Sequence, residues 1–150
     1  MRRYGEPLKP DQAYRRRAGV YGVLINGGAI LLTHQAAPVP EYQLPGGGID
    51  RNEPPIAALH REVFEETGWR IGPPRYVGSF RRFTHMPEYN MWAEKVCAVF
   101  LARPVLRLGP PSEAGHTAVW MQPQQALDVL GNAGDRAMLY RVVRDQLLPR

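Results

Sequence analysis

The sequence predicts a single α/β domain in which a mixed β-sheet lies between helical layers. A length of 150 residues is typical of one domain with one core. The chain is 44% hydrophobic and 22% charged, close to the globular average, which disfavours a disordered chain, a fibrous protein or a membrane bundle. Predicted strands occur both singly and as hairpins around predicted helices, and this order indicates a mixed sheet.

Five segments have the apolar, β-branched character of strands. They are residues 18–25, 29–33, 75–83, 93–103 and 118–121. The first two flank the turn sequence Asn26-Gly27-Gly28 and are predicted to form a hairpin. A segment rich in turn-forming residues is expected to separate 75–83 from 93–103. Residues 1–17 are predicted to be an N-terminal arm, followed by a domain over residues 18–150.

A helix is predicted over residues 54–67, and two further helices over 123–130 and 135–148. In the first helix, the positions expected to face inward recur at helical spacing: Ile56, Leu59, His60 and Val63. Asp50 or Asn52 is expected to cap its start, and Gly68 to end it in the left-handed conformation.

Arginine dominates the basic residues, since it accounts for 17 of the 19, and the formal net charge is +5. Arginine makes planar, bidentate contacts with phosphate and carboxylate groups, so the composition favours phosphorylated ligands. A solvated basic surface is the alternative explanation. The basic residues form no sustained stripe with interleaved aromatic side chains, which disfavours a nucleic-acid-binding protein.

Neither a membrane span nor a secretory signal is expected from the sequence. Its longest apolar runs, near residues 96–102 and 29–32, are far shorter than the roughly 20 residues needed to cross a bilayer. Residues 1–10 lack the apolar centre of a secretory signal, so a cytoplasmic location is expected. The single cysteine, Cys97, lies in a predicted strand and is expected to be buried there rather than to act as a nucleophile.

Negative charge is concentrated in one part of this basic chain, because six of its fourteen acidic residues lie between positions 41 and 66. On the predicted helix, Glu62, Glu65 and Glu66 share one face. Their mutual repulsion and their place near the helix C-terminus each cost a few tenths to about 1 kcal/mol. A divalent cation would offset that cost, and oxygen ligands suit Mg²⁺ or Mn²⁺ together with substrate phosphates. A solvated face with an Arg61–Glu65 ion pair is the alternative.

The stretch from Gly47 to Trp69 carries seven residues at fixed spacing, which are Gly47, Glu53, Arg61, Glu62, Glu65, Glu66 and Gly68. This pattern, Gly-x5-Glu-x7-Arg-Glu-U-x-Glu-Glu-x-Gly-U with U apolar, resembles the Nudix box at every fixed position. Chance would align these residues on the order of once in a million chains of this composition. The resemblance implies an α/β/α sandwich and the hydrolysis of a nucleoside diphosphate linked to another moiety, with Mg²⁺ or Mn²⁺ and water.

The same resemblance implies roles for individual residues of the box. Glu65 and Glu66 would bind the metal, and Glu62 would bind the metal or serve as the general base. A backbone carbonyl of the 46–48 loop, assigned to Gly47, would complete the metal site. Arg61 would orient these groups by pairing with Glu53.

Family members often recruit a further acid from outside the box. Of Glu88, Glu94 and Glu113, the candidates retained are Glu94 and Glu113, because each borders a predicted strand from which it can approach the helix. His34, His60 and His85 show no metal-ligand spacing, and the carboxylates suffice without them.

The substrate is less well specified by the sequence. A base or ribose is expected to stack on one of three aromatic residues, and a phosphate to bind one of three arginines. The aromatic candidates are Phe83, Tyr89 and Trp92, and the arginines are Arg17, Arg81 and Arg82. A small nucleotide or related diphosphate is the expected partner, and an RNA 5′ end and a homodimer stay open. The alternative function is a nucleotide-binding regulatory module of the same fold without turnover.

Overall fold

The computed structural model describes residues 1–147. In this part of the chain the strands, in order, are β1 Arg2–Gly5, β2 Arg15–Asn26, β3 Ala29–Gln35, β4 Glu41–Gln43, β5 Gly46–Gly48, β6 Trp69–Ile71, β7 Arg75–Met86, β8 Met91–Ala102, β9 Pro104–Arg107 and β10 His116–Met121. The helices are α1 Pro55–Thr67, α2 Pro123–Val129 and α3 Ala133–Val142, and α3 continues as a π-helical turn over Val143–Leu147. Each predicted strand and helix is present with shifted ends, except that residue 148 lies outside the described residues.

Within residues 1–147, eight strands form one mixed sheet and two form a small separate one. The large sheet has the order β1-β7-β8-β2-β3-β10, with β4 beside β3 and β5 beside β2. The β2–β8 and β1–β7 pairs are parallel, whereas β7–β8, β2–β3 and β3–β10 are antiparallel. The predicted β2–β3 hairpin is thus confirmed, and β6 pairs with β9 in the small sheet.

The core has two halves, one on each face of the large sheet. Successive residues of a strand point to opposite faces, and the β2 residues Leu24 and Val23 accordingly pack into different clusters. On one face, Leu59 and Val63 of α1 pack with Val20, Leu24 and Leu31. On the other, the α3 residues pack with strand residues, in a cluster that includes Val23, Phe80, Val99, Met138, Leu139 and Val142. These two layers confirm the predicted α/β/α sandwich.

Some local expectations are wrong. Ile56, in the first turn of α1, is 39% exposed rather than buried, and the buried apolar residues of the helix are Ala58, Leu59 and Val63. Neither Asp50 nor Asn52 caps α1, since Pro54 holds the N-cap position in the described structure without a side-chain hydrogen bond. The expected break between β7 and β8 shrinks to a 3₁₀ turn over Pro87–Tyr89, because the two strands pair up to Met86 and Met91.

Other expectations about single residues agree with the structure. Gly68 ends α1 in the left-handed conformation with φ of 77°. Cys97 is buried in β8, and burial raises the pKa of its thiol to about 12, so it stays protonated at neutral pH. Residues 1–17 differ from the expected N-terminal arm, because β1 pairs with β7 and the first three residues of β2 pair with β8 in the large sheet. No helix within residues 1–147 is long and apolar enough to cross a membrane.

The glycine loop is positioned by a gap in the large sheet, where β2 and β3 separate. Strand β2 pairs with β3 through residues 24–26 but with β5 through residues 19–21. Because β2 and β3 part at this point, the Gly46–Gly48 segment enters the sheet and lies against the C-terminal half of α1, where the Gly46 N–H reaches Glu66. The structure therefore brings the two ends of the glycine-to-glutamate motif together.

Candidate functional site

The C-terminal half of α1 presents three carboxylates at different depths. Glu65 is the most exposed, with 34% of its side chain accessible, whereas Glu62 has 15% accessible. Glu66 is buried, and its Oε1 accepts a hydrogen bond of 3.0 Å from the Gly46 N–H. Helical spacing places the three side chains on one face, as predicted.

Arg61 is held by Glu53 through two parallel hydrogen bonds. The Arg61 Nε donates to Glu53 Oε2 at 2.8 Å, and Nη2 donates to Glu53 Oε1 at 2.9 Å. Nη2 also donates to the Gly48 carbonyl at 3.1 Å, which ties the helix to the glycine loop. The hydrogen bonds from Arg61 and from the Asp50 N–H lower the pKa of Glu53 to about 2, so Glu53 is ionised at neutral pH.

The remaining nitrogen of Arg61 faces the acidic cluster. Nη1 donates to Glu62 Oε1 at 3.0 Å and lies 3.3 Å from Glu65 Oε2. In the described part of the chain, no three Asp, Glu, His or Cys side chains already form a metal-binding group. Nη1 of Arg61 occupies carboxylate oxygens of Glu62 and Glu65.

A loop after β9 brings another acid to the same place. The backbone N–H groups of Ser112 and Glu113 both donate to the Glu65 carbonyl at 2.9 Å. Glu113 lies in an exposed loop segment, yet it lines one cavity of about 240 Å³ with Glu66 and the glycine loop. Glu94, the other retained candidate, pairs instead with Arg16 at 3.3 Å and Arg81 at 4.0 Å, outside that cavity.

His116 is a site residue that no sequence pattern indicated. Its Nδ1 lies 3.6 Å from Glu66 Oε2 and 2.9 Å from the Thr33 hydroxyl. Burial lowers the pKa of His116, while the Glu113 charge raises it, and the net shift is downward. The neutral ring is thereby favoured, and it gives Glu66 little electrostatic compensation.

The acidic cluster carries more negative charge than the neighbouring groups neutralise. Burial raises the pKa of Glu66 well above its ordinary value, the Gly46 hydrogen bond opposes this, and the charges of Glu62, Glu113 and Glu65 add to it. Burial also raises the pKa of Glu62, although Arg61 opposes that shift. Several hard oxygen donors with unfavourable mutual repulsion are the donor set that fits Mg²⁺ or Mn²⁺.

The predicted substrate residues divide into two groups. Arg17 and Arg82 line the cavity, whereas Arg81 pairs with Glu94 outside it. Phe83 is 4% exposed and meets Tyr14 edge-on, and Trp92 contacts Tyr14, His85 and Lys9. Tyr89 is 57% exposed and lies 5.0 Å from the Arg17 guanidinium. None of these three aromatic rings is among the residues that line the cavity within the described chain.

Comparison with known proteins gives the family. A family model described as "NUDIX domain" matches residues 13–142. The chain belongs to the Nudix family. Among curated Nudix relatives, an RNA pyrophosphohydrolase of Cereibacter sphaeroides is 46% identical over 70 residues, which are 45% of this chain and 41% of that protein. The chain therefore matches about two fifths of that relative's length.

Two further relatives cover most of the chain. A MutT-like protein of Streptomyces ambofaciens is 27% identical over 120 residues, 80% of this chain and 73% of that protein. The crystal structure of a MutT NUDIX hydrolase from Burkholderia pseudomallei superposes with a TM-score of 0.67 at 27% identity, over 85% of this chain and 98% of that chain. The family membership confirms the resemblance from which the hydrolase prediction came.

Besides His116, two charged residues that line the cavity in the described chain, Asp135 and Lys95, were not expected from the sequence. Asp135 is 4% exposed at the start of α3, and its Oδ2 accepts a hydrogen bond from the Leu44 N–H at 3.2 Å. Lys95 reaches the cavity from the middle of β8. Lys95 could have been identified from the sequence, because a lysine among the apolar residues of a predicted strand is unusual and suggests a functional role. No comparable sequence feature marks Asp135 or His116.

Proposed function

We propose that the chain is a metal-dependent hydrolase that cleaves a phosphoanhydride in a nucleoside diphosphate linked to another moiety. The observation that carries the proposal is the convergence of Glu62, Glu65 and Glu66 with Glu113 from a separate loop, beside a backbone that approaches closely at Gly47. Membership of the Nudix family supports it.

Mg²⁺ or Mn²⁺ is the proposed cofactor. Glu65 and Glu66 would hold it, with Glu62, the Gly47 carbonyl and Glu113 as the further oxygen donors. When bound, such a cation neutralises charge on the anhydride and lowers the pKa of water. Glu62 and Glu65 would have to release Arg61 Nη1 to reach the cation, while Glu53 still holds Nε and Nη2.

Residues of the protein itself would position the reacting groups and accept the proton from water. Arg61 is a positioning residue, because it fixes the helix to the glycine loop through Gly48 and to Glu53. Glu62 or Glu113 would accept the proton from the attacking water, since both are carboxylates next to Glu66. Because the Cereibacter relative is an RNA pyrophosphohydrolase, an RNA 5′ end is one of the substrates to test.

The decisive experiment is an assay of phosphate release with Mg²⁺ or Mn²⁺ over a panel of substrates. The panel contains nucleoside triphosphates, dinucleoside polyphosphates, ADP-ribose, sugar nucleotides and a 5′-triphosphorylated RNA, each followed by phosphatase where needed. Glu65→Gln and Glu66→Gln are each expected to lower turnover by orders of magnitude. Glu6→Gln, an exposed acid outside the cavity, is the matched control.

The outcomes separate the enzyme from a binding module. Turnover that survives unchanged in both glutamine variants would show that the assigned metal ligands are wrong. Saturable nucleotide binding without turnover of any substrate would favour a regulatory module instead.

A further inference from the structure

Three cations stand side by side in the cavity, one from each of three neighbouring strands. Arg17 of β2 is the register partner of Lys95 in β8, and Lys95 is the partner of Arg82 in β7. All three side chains line the cavity that also contains Glu66. Because adjacent strands are about 4.8 Å apart, the row spans roughly 10 Å from Arg17 to Arg82.

This cation row is unfavourable in the protein alone. Like charges directly opposite each other destabilise a sheet. Burial, with the charges of Arg82 and Arg17, lowers the pKa of Lys95, although the charges of Cys97 and Glu88 oppose that shift. The next row on the same face is formed by Gly19, Cys97 and Phe80 and is buried, so apolar side chains are compatible with this face. A row of cations here therefore calls for a compensating ligand.

The opposite face of the same strands provides an internal comparison. There, Arg16 and Arg81 both pair with Glu94, at 3.3 and 4.0 Å. Of the ion pairs within 4.0 Å among residues 1–147, none includes a member of the cation row. Arg16 and Arg81 on that face thus share a counter-ion, whereas the three cations that line the cavity have none within 4.0 Å in the described part of the chain.

Two groups near the cation row, Asp135 and the Tyr89 ring, do not replace a counter-ion. Asp135 lines the cavity, but its carboxylate accepts from the Leu44 N–H, and burial raises its pKa to about 7 in spite of Arg82 and Lys95. Arg17 lies 5.0 Å from the Tyr89 ring, a contact that leaves its formal charge in place. An external anion would satisfy the row.

We propose that Arg17, Lys95 and Arg82 form a second anion subsite that binds a phosphoryl group remote from the anhydride to be cleaved. Two guanidinium groups and an ammonium present enough N–H donors for the oxygens of one phosphoryl group. The inference about the substrate rests on the proposed hydrolase function. It narrows the substrate class to nucleoside diphosphates whose second moiety carries a phosphate of its own. That phosphate is either a monoester on a small nucleotide or the phosphodiester of an oligonucleotide.

The first test measures anion binding without any metal. Inorganic phosphate is titrated into the full chain in EDTA and low salt by calorimetry, for the wild type, Lys95→Gln, Arg82→Gln and the control Arg107→Gln. Arg107 is exposed in β9 and lies outside the cavity. We expect each cavity variant to bind phosphate at least roughly tenfold more weakly, and the control to bind like the wild type.

A stability measurement guards against misfolding. Loss of one charge from a row of like charges should leave the melting temperature unchanged or raise it. If the wild type shows no saturable phosphate binding, or if Arg107→Gln weakens it equally, the subsite is wrong.

The second test compares matched substrates with and without the remote phosphate. The pairs are 2′-phospho-ADP-ribose against ADP-ribose, and a 5′-triphosphorylated dinucleotide against the nucleoside triphosphate. We expect a KM at least roughly tenfold lower for the phosphorylated member of one pair, and loss of this preference in Lys95→Gln. The pair that shows the preference identifies the source of the phosphate.

The two proposals fail separately. Phosphate binding that depends on Lys95, without turnover of any substrate, would keep the subsite and reject the hydrolase. Turnover without phosphate binding and without preference would keep the hydrolase and reject the subsite.

Discussion

Gly47→Ala tests whether the position of the Glu62 carboxylate matters for the reaction. A Cβ atom at residue 47 would lie 2.5 Å from both Cδ and Oε2 of Glu62. Ordinary contact begins near 3.4 Å, so the carboxylate must retreat by about 1 Å. The backbone itself tolerates alanine, because Gly47 is not among the glycines with positive φ. Gly48→Ala is a control in the adjacent position, since a Cβ there would meet no atom within 4 Å.

The expected effect follows from that displacement. A misplacement of about 1 Å in a reacting site costs about 100-fold in rate, whereas an unobstructed surface substitution changes the free energy of unfolding by less than about 0.5 kcal/mol. We therefore expect Gly47→Ala to lower kcat/KM about 100-fold on the best panel substrate and to weaken Mn²⁺ binding in calorimetry. Both variants should melt close to the wild type, because Glu62 yields at the end of a flexible side chain.

The control decides how the result is interpreted. Wild-type kcat/KM and Mn²⁺ affinity in Gly47→Ala would refute a role for Glu62 as ligand or base. Equal loss in Gly47→Ala and Gly48→Ala would instead show that both act through the conformation of the loop.

Three further predictions concern other groups. Arg61→Lys keeps the charge but loses the double hydrogen bond to Glu53, so kcat/KM should fall about 10- to 100-fold, with Arg51→Lys as the exposed control. Glu113→Gln should lower kcat far more than Glu94→Gln in the same assay, and the reverse order would assign the outer acid to Glu94. Burial raises the pKa of Asp135 from 3.8 to about 7, so between these pH values the folded state holds a proton that the unfolded state has lost. The contribution of Asp135 to the free energy of unfolding is therefore full below pH 4 and is lost as the pH rises through 7. Urea unfolding at pH 5 and pH 8 should show about 3 kcal/mol of this loss in the wild type and in Asp128→Asn, and none of it in Asp135→Asn.

The sequence predicted those elements whose own residues carry the pattern of a helix, a strand or a turn. The β2–β3 hairpin carries its turn residues in sequence, and α1 carries its apolar spacing and its terminal glycine. The short strands β1, β4, β5, β6 and β9 were not predicted, because their identity depends on a distant partner. The 46–48 loop, for example, is a strand only because β2 parts from β3 there.

The same distinction holds for the candidate site: residues within one element were predictable, and residues from distant elements were not. The box acids lie on one helix, so their shared face follows from spacing alone, and the Glu53–Arg61 contact expected from the resemblance is present at 2.8 Å. Glu113 and Glu94 were indistinguishable in the sequence. The register of β8 separates them, because it points Lys95 into the cavity and Glu94 to the other face. His116 and Asp135 come from distant elements and needed the three-dimensional arrangement.

The proposed site also explains why two clusters of opposite charge share one cavity without neutralising each other. Burial first, and then like charges nearby, raise the pKa of Glu66 and lower the pKa of Lys95, so the charged form of each residue is disfavoured. Direct ion pairs between them would relieve both costs but would leave no room for ligands of either sign. Without such ion pairs, the acids retain affinity for a divalent cation and the cations retain affinity for a phosphoryl group. On this proposal, the protein is less stable without ligands, but a metal ion and a substrate with a second phosphate can bind together.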